Sequence, residues 1–482
     1  MSVPAVSTRP RVVVVGGGVA GLSAALEVLD ALPSAQVTVL EAADRLGGKL
    51  RLETVAGHPV DVGAESVLAV RPEGTDLIRR VGGGDALVAP ATTSASIWSR
   101  GALRPLPRAT LMGVPTDPDS ARGVLTDDEV ERLQDERDWP GGGVVDDVSV
   151  GDYVGTRLGP AVVERLVEPL LGGVYAGHAT RLSLRATMPA IWERATRGES
   201  LLTPRTGATA SGSGGETRPA FAGLAGGVGR LPELLAAELR SRGASMRTRA
   251  TVRVLERVGH GWRLVLGSAA SPEVVEADAV LLCVPPAPAA RLLGPHAPAA
   301  ARVLGAVETA STAVVTLAVE RAGLGELPGS GFLVPPVEGR TIKAGTFSAN
   351  KWAWTGALSD EVVYLRASIG RAREESVLQR PDDELVAVSA AEVGEALGRH
   401  LPRVVDAHVQ RWGGGLPQYA VGHVDAVATV RADLARVPGV EVAGAAYDGV
   451  GIPAVIASAA VAAAATVHHL TTVTTRRGDR PA

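Results

Sequence analysis

The stretch RVVVVGGGVAG, residues 11–21, decides the fold of this chain. Four consecutive valines that end at glycine are typical of a buried parallel strand. Directly after the glycines, Leu22, Ala25, Leu26 and Leu29 are spaced to form one apolar face of a helix. The sequence therefore predicts a strand, a tight turn and a helix in direct succession.

The glycines of this turn follow the pattern G-x-G-x-x-G. Such glycines allow a tight turn, let the backbone approach a pyrophosphate and let helix and strand pack closely, while the helix N-terminus offers free N–H groups to the phosphates. Residues 36–40 predict the next strand, and Glu41 follows it, 20 residues after Gly21. A carboxylate there can accept hydrogen bonds from both ribose hydroxyls and would repel a 2′-phosphate. We predict a dinucleotide-binding β-α-β unit.

Length and charge limit the other possibilities. A chain of 482 residues predicts two or three domains, and its net charge of -4 creates no field that would attract nucleic acid. The single cysteine, Cys283, excludes an intramolecular disulfide and lies in an apolar run that reads as a buried strand. No secretory signal is visible, which suits a cytoplasmic protein. We find no metal-ligand cluster, no P-loop and no Ser/His/Asp triad.

The most apolar late stretch is Ala-rich and runs from Pro453 to Val467. Its length of about 15 residues falls short of the ~20 that a membrane-spanning helix needs. We therefore expect a buried helix and no transmembrane segment. Residues 206–218 are low in complexity and predict a mobile loop.

A second motif follows the first strand pair. The stretch EAADRLGGK, residues 41–49, resembles the E-x-x-x-R-x-G-G segment of the large flavoprotein family that includes amine oxidases, phytoene desaturases and protoporphyrinogen oxidases. A basic residue and two glycines let the chain pass closely beside a second phosphate and a ribitol. Nicotinamide-dependent dehydrogenases do not need this segment, so it favours FAD.

Four further segments narrow the resemblance to the protoporphyrinogen and coproporphyrinogen oxidases. They are DVGAES at 61–66, GGVYAG at 172–177, the Trp412 to His423 segment with LPQY and GH, and GAAYDGVGIP at 444–453. These motifs occur in the family's order, and the resemblance covers residues 11 to 470. One departure concerns residues 64–66, where some members place an arginine and this chain has Ala-Glu-Ser. A substrate anchor is therefore missing or moved.

The resemblance implies an α/β protein of amine-oxidase/porphyrinogen-oxidase architecture. It has a Rossmann-like FAD-binding domain that is split in sequence, a mixed-sheet substrate domain and a helical domain that forms a membrane face in some members. With the changes in texture along the chain, we predict FAD-binding parts at 1–90, 221–290 and 406–470, the helical domain at 91–220, the substrate sheet at 291–405 and a disordered tail at 471–482.

The resemblance further implies oxidation of a porphyrinogen in haem biosynthesis, with FAD as cofactor, O2 as acceptor and H2O2 as by-product. Soluble bacterial members take coproporphyrinogen III, and peripheral membrane contact or product handover to a ferrochelatase is compatible with this role. Three alternatives stay open: a protoporphyrinogen IX oxidase, a flavin amine oxidase or desaturase on the same scaffold, and an FAD-binding protein without catalysis.

The resemblance also names the residues that contact the cofactor. They are Gly16, Gly17, Gly18, Val19, Ala20, Gly21, Glu41, Ala42, Arg45, Gly48, Lys49, Gly63, Ala64, Glu65, Ser66, Val252, Trp412, Val450, Gly451 and Ile452. Hydride transfer to a flavin requires correct orientation of the substrate rather than a catalytic side chain. We therefore predict no catalytic residue. Arg71 is a candidate partner for a substrate propionate. We expect turn or packing roles for His178 and His423.

Overall fold

The computed structural model describes residues 9–139, 141–202, 219–268 and 270–478. Its strands are β1 (Arg11–Val15), β2 (Gln36–Leu40), β3 (Leu52–Val55), β4 (His58–Asp61), β5 (Val67–Leu68), β6 (Leu87–Val88), β7 (Ser96–Ser99), β8 (Ala102–Pro105), β9 (Thr110–Leu111), β10 (Val114–Pro115), β11 (Phe221–Leu224), β12 (Ser245–Arg247), β13 (Val252–Val258), β14 (Gly261–Ser268), β15 (Ser271–Ala277), β16 (Ala279–Leu282), β17 (Thr309–Glu320), β18 (Gly331–Leu333), β19 (Ile342–Thr346), β20 (Val362–Ile369), β21 (Val404–Pro417) and β22 (Val440–Val442).

The α-helices are α1 (Val19–Ala31), α2 (Pro72–Arg80), α3 (Asp127–Leu133), α4 (Val150–Leu158), α5 (Pro160–Val162), α6 (Glu168–Tyr175), α7 (Leu184–Thr187), α8 (Pro189–Arg197), α9 (Leu231–Ser241), α10 (Pro286–Leu293), α11 (Pro298–Gly305), α12 (Ser348–Lys351), α13 (Ala353–Gly356), α14 (Asp382–Ala396), α15 (His423–Leu434) and α16 (Ile452–Gly478). A π-helical turn, Val163–Val167, joins α5 to α6. The predicted loop at 206–218 lies outside the described residues.

A five-stranded parallel sheet, in the order β12-β2-β1-β16-β22, carries the dinucleotide motif. Its strands come from three distant parts of the chain. Side chains of β1 alternate between two cores: Val12 and Val14 pack with α1, α9 and α16, while Val13 and Val15 pack with β13–β15 and α15. Because both faces are covered, the strand reads as a continuous apolar run. The predicted α/β class and split Rossmann-like sheet are confirmed.

The last helix, α16, is longer than the sequence suggested. By length and composition, its residues 452–472 would suffice to cross a membrane, so our reading of the apolar stretch as too short is wrong. Ala459, Ala462 and Ala463 nevertheless lie in the core shared with α1, as expected for a buried helix. The helix also continues to Gly478 through residues that we expected to be disordered, and only 479–482 lie outside the described part.

A second, seven-stranded sheet has the order β21-β17-β20-β19-β18-β7-β8 and is mixed, because β18 pairs with β7 in parallel and the other neighbours are antiparallel. One face packs on α14. Strand β21 and the hairpin β7–β8 belong to this sheet, although we assigned 406–417 to the FAD-binding part and 96–105 to the helical domain. Pairing between strands that are remote in sequence decides sheet membership, and a boundary drawn from local texture misses it.

A separate core, which includes Leu158, Leu166 and Leu171, is formed by α3 to α8, the π-helical turn and the small β9–β10 hairpin. Within α3, Thr126 and Glu129 form a capping box. The acidic cluster at 127–129 therefore lies in the first turn of this helix.

The contact of Gly21 with the preceding turn gives a test of the fold. A Cβ atom at this position would lie 1.9 Å from the carbonyl oxygen of Gly16. We expect Gly21→Ala to lower the free energy of unfolding by about 3 kcal/mol or more, because backbone would have to move apart. Denaturant unfolding measures the loss. Gly294→Ala is the control, since its Cβ would meet nothing closer than 3.6 Å, and equal stability of both variants would contradict the packing argument.

Candidate active site

The glycine-rich turn between β1 and α1 is closed by backbone contacts. Gly16 has a φ of 109°, and a Cβ there would lie 2.3 Å from the carbonyl oxygen of Cys283. The Glu41 carboxylate accepts hydrogen bonds from the amides of Gly17 (2.6 Å) and Ala43 (2.8 Å). Glu41 therefore lies against the turn at the end of β2, where the sequence predicted it.

The second glycine segment lies directly on the first. The amide of Gly47 donates to the carbonyl of Gly17 at 2.8 Å, and a Cβ at Gly48 would come within 3.2 Å of the Gly18 Cα. Arg45 donates to the carbonyls of Leu46 (3.0 Å) and Leu50 (3.2 Å). The arginine thus holds the bend of its own segment, a role that the motif did not reveal.

Residues 49 and 63 bring this segment to the second sheet. A Cβ at Gly63 would lie 2.0 Å from the Lys49 carbonyl oxygen and 3.3 Å from the Trp412 ring. The indole N–H of Trp412 donates to Val62 at 3.2 Å, and the Lys49 ammonium donates to the carbonyl of Gly415. Burial lowers the pKa of Lys49 to about 8. The predicted residues Lys49, Gly63 and Trp412 are therefore brought together.

A cavity of about 300 Å³ opens beside Gly63. Four of the residues that line it were predicted, namely Gly63, Ala64, Glu65 and Ser66. The others come from the seven-stranded sheet and α12: Val314, Thr346, Lys351, Arg366, Ala367 and Ser368. The cavity thus lies between the predicted flavin-facing segment and the substrate sheet.

Two basic residues that were not predicted for the site, Lys351 and Arg366, both bind Glu65. Nζ of Lys351 is 2.8 Å from Oε1 of Glu65, and a guanidinium nitrogen of Arg366 is 2.6 Å from Oε2. These two cations hold the pKa of Glu65 well below its usual range against the effect of burial. A signal for Arg366 was present, because it is the one charged residue in the run VVYLRASI. No local pattern indicated that it would meet residue 65.

The C-terminal motif is held by Tyr419. Its hydroxyl donates to the carbonyl of Ala445 (2.7 Å) and accepts from the amide of Gly449 (2.7 Å). His423 stacks on the Tyr419 ring with centroids 3.7 Å apart, which is the packing role that we expected. The segment before α16 is thereby fixed on both sides, although the helix begins at Ile452, one residue before the predicted Pro453.

Only residues 63–66 of the predicted set line the cavity, and three further residues singled out in the sequence lie elsewhere. Arg71 precedes α2, is 42% exposed and pairs with Glu73 at 2.5 Å. Val252 begins β13 and is buried beside the end of β2, where the amide of Ala250 donates to the carbonyl of Glu41. His178 contacts the carbonyl of Ala372 at 3.1 Å, in a packing position.

The backbone around the glycine segments fits an FAD pyrophosphate. Helix α1 begins after Gly18, and no side chain of the described residues caps its first N–H groups. These donors need an acceptor, and Gly18 and Gly48 leave room because neither has a Cβ. Among the described residues, no group of three or more His, Cys, Asp or Glu side chains is placed to hold a metal ion.

Comparison with known proteins identifies the family. The model of the flavin containing amine oxidoreductases matches residues 19–467. The chain belongs to the flavin-containing amine oxidoreductases. It is an oxidoreductase, and the predicted FAD cofactor is confirmed by this membership.

Within this family, the named relatives are porphyrinogen oxidases. The coproporphyrinogen III oxidase of Mycobacterium tuberculosis is 38% identical, over 92% of this chain and 95% of the relative. The Bacillus subtilis coproporphyrinogen III oxidase is 29% identical over the same shares, and the Macaca fascicularis protoporphyrinogen oxidase is 28% identical. The predicted resemblance is confirmed.

Solved structures agree. A protein from Exiguobacterium sp. 255-15, provisionally named a protoporphyrinogen oxidase, superposes with a TM-score of 0.83 at 33% identity, over 96% of this chain and 99% of that one. Cyclohexylamine oxidase from Brevibacterium oxydans has a TM-score of 0.68 at 16% identity, over 96% of this chain and 100% of that one. At this low identity the second likeness supports the fold alone.

Asp61 gives a pH test of the site's supporting structure. It accepts from the amides of Val228 (2.9 Å) and Gly229 (2.8 Å), and burial raises its pKa to about 6. Between the ordinary carboxyl pKa and this value the folded protein binds more protons than the unfolded chain, so the stability contribution of Asp61 falls as pH rises from about 4 to about 6, by about 3 kcal/mol.

Denaturant unfolding of the FAD-saturated protein at several pH values checks this expectation. Across this window the unfolding free energy of the wild type should fall relative to that of Asp61→Asn, because only the wild type releases the proton. Parallel pH profiles of the two proteins would show that Asp61 does not titrate there.

Proposed function

We propose that this oxidoreductase converts coproporphyrinogen III to coproporphyrin III in haem biosynthesis, with O2 as acceptor and H2O2 as by-product. One observation carries the proposal: a cavity with two basic side chains, Lys351 and Arg366, opens beside residues 63–66 in a chain 38% identical to a coproporphyrinogen III oxidase. Basic groups suit a substrate whose periphery carries propionates.

The geometry supports the following arrangement of FAD. Residues 16–21 would hold the pyrophosphate, Glu41 the adenosine ribose, and Val252 would lie on the adenine side. Ala42, Arg45 and Gly48 would line the second glycine segment. Lys49, residues 63–66, Trp412 and residues 450–452 would surround the ribitol and the isoalloxazine. The Glu41 oxygens already accept two amides, so each would have to accept from a ribose hydroxyl through its remaining lone pair.

The proposed reaction requires the chain to orient the substrate and to neutralise its negative charge. When bound, FAD supplies a hydride acceptor that O2 can reoxidise. The protein's share is to hold a meso carbon of the substrate beside the flavin-facing segment and to neutralise the propionates. The Lys351 and Arg366 side chains lie 20% and 11% exposed at the cavity, where burial strengthens their attraction for a carboxylate. We assign no side chain as proton acceptor.

Protoporphyrinogen IX is the second candidate substrate, because relatives of both names match over most of the chain. We place the enzyme in the cytoplasm, where its product would pass to a ferrochelatase. Half of the most apolar window of α16 is buried in the protein, which favours a core helix; peripheral membrane contact would involve other surfaces.

Turnover under air tests the proposed function. Purified holoprotein mixed with coproporphyrinogen III should produce porphyrin fluorescence and H2O2, faster than with protoporphyrinogen IX. A higher rate with protoporphyrinogen IX would make it the preferred substrate in place of coproporphyrinogen III. Absence of turnover with either porphyrinogen, together with oxidation of an amine, would refute the proposal in favour of an amine oxidase.

We further propose that Arg71 contacts a substrate propionate. Arg71→Gln should raise the KM for coproporphyrinogen III about tenfold with little change in kcat, since a charge-assisted hydrogen bond would be lost on binding. Arg79→Gln is the matched control, because Arg79 lies on α2, the helix that begins directly after Arg71, and is 59% exposed. Equal KM values for the two variants would remove Arg71 from the substrate site.

A further inference from the structure

Lysine is rare in this chain and restricted in place. Of 48 basic residues only three are lysines, Lys49, Lys343 and Lys351. All three lie in the interior or at its edge: Lys49 at the junction with Trp412, Lys343 at 5% exposure in β19, and Lys351 with its side chain 20% exposed at the cavity. The chain thus uses arginine on its surface, and Lys351 is the lysine that reaches the cavity.

The ionic cluster of Glu65, Lys351 and Arg366 joins the flavin-facing segment to the substrate sheet. Lys351 binds Glu65 and the hydroxyl of Ser66, both at 2.8 Å. Arg366 binds Glu65 at 2.6 Å and the carbonyl of Gly63 at 2.5 Å. Ser348 donates to the second oxygen of Glu65 at 3.0 Å. Both oxygens of Glu65 are therefore fully engaged within the protein.

The cations keep unused hydrogen-bonding capacity. An ammonium has three donors, and the described residues accept two from Lys351. A guanidinium has five N–H donors, and each terminal nitrogen of Arg366 donates once to the described residues, whereas its Nε is buried without a partner among them. The cavity lining contains two basic side chains and one carboxylate, with the hydroxyls of Ser66, Thr346 and Ser368 as neutral polar groups.

One further carboxylate, that of Asp61, lies near the cluster but does not line the cavity. Asp61 interacts with Arg366 but lies outside the lining of this cavity, and both of its oxygens are bound by the amides of Val228 and Gly229. Toward the cavity, the cluster therefore presents donors in excess of acceptors. This arrangement suits a ligand carboxylate better than a cation or a neutral amine.

We propose that Lys351 and Arg366 form the subsite that receives a substrate carboxylate, with Glu65 as the internal counter-ion that holds the two cations in position before the substrate arrives. The subsite supplies basic groups beside Ala64, Glu65 and Ser66, the positions at which some members of the family place an arginine. It makes coproporphyrinogen, which has propionates where protoporphyrinogen has vinyl groups, the better ligand. This inference rests on the proposed porphyrinogen oxidation.

Equilibrium binding to the holoenzyme, measured by the quenching of porphyrin fluorescence, tests the subsite. The ligands are coproporphyrin III and its tetraamide, which keeps the shape and loses the charges. We expect Lys351→Met to weaken coproporphyrin binding about tenfold, because a charge-assisted contact is lost, and to leave tetraamide binding unchanged.

Arg403→Met is the control for a general loss of positive charge, since Arg403 is 70% exposed and precedes β21. It should bind both ligands like the wild type. FAD absorbance and the unfolding midpoint establish that each variant is folded and loaded with FAD. Arg366→Lys is an additional variant, which keeps a positive charge at that position.

The outcomes separate this inference from the proposed function. Loss of coproporphyrin and tetraamide binding to the same extent in Lys351→Met, or unchanged coproporphyrin binding in that variant, would overturn the subsite and leave the cluster as a support of residues 63–66. Wild-type turnover of porphyrinogen in that case would still support the function. A wild type that neither oxidises nor binds any porphyrin would refute the function itself.

Discussion

The architecture depends on backbone segments that meet without side chains between them. Residues 16–18 lie against residues 47–48, and the turn itself packs on Gly21 and on the carbonyl of Cys283. A Cβ atom at Gly16 or Gly21 would lie within 2.3 Å of a backbone oxygen, and one at Gly48 would lie 3.2 Å from the Gly18 Cα. Because the contacts join β1, α1, β16 and the second glycine segment, they set the position of the helix N-terminus that fits a pyrophosphate.

A second junction depends on charge rather than on small residues. Glu65 comes from the segment that follows β4, whereas Lys351 lies in α12 and Arg366 in β20 of the seven-stranded sheet. Their ion pairs hold these parts together at the cavity. A buried ion pair adds little net stability after desolvation, but removing one partner is costly. The cluster therefore fixes the positions and the charge of the side chains at the cavity and contributes little to stability.

Packing around Tyr419 explains how a loop far along the chain reaches the same site. Its hydroxyl bridges Ala445 and Gly449, and its ring stacks on His423. One side chain thus connects the end of β21 with the segment before α16. The segment from Trp412 to His423 therefore connects β21 of the seven-stranded sheet to the residues that precede α16.

Local patterns in the sequence determined the β-α-β unit, the place of Glu41 and the family, because strand and helix periodicity and the need for glycine are properties of neighbouring residues. Only the tertiary structure decided that β7, β8 and β21 join one sheet, that α16 extends to Gly478, and that Lys351 and Arg366 meet Glu65. These contacts join residues up to several hundred positions apart. Their partners are chosen by packing and charge across the folded chain, which leave no mark in any short stretch.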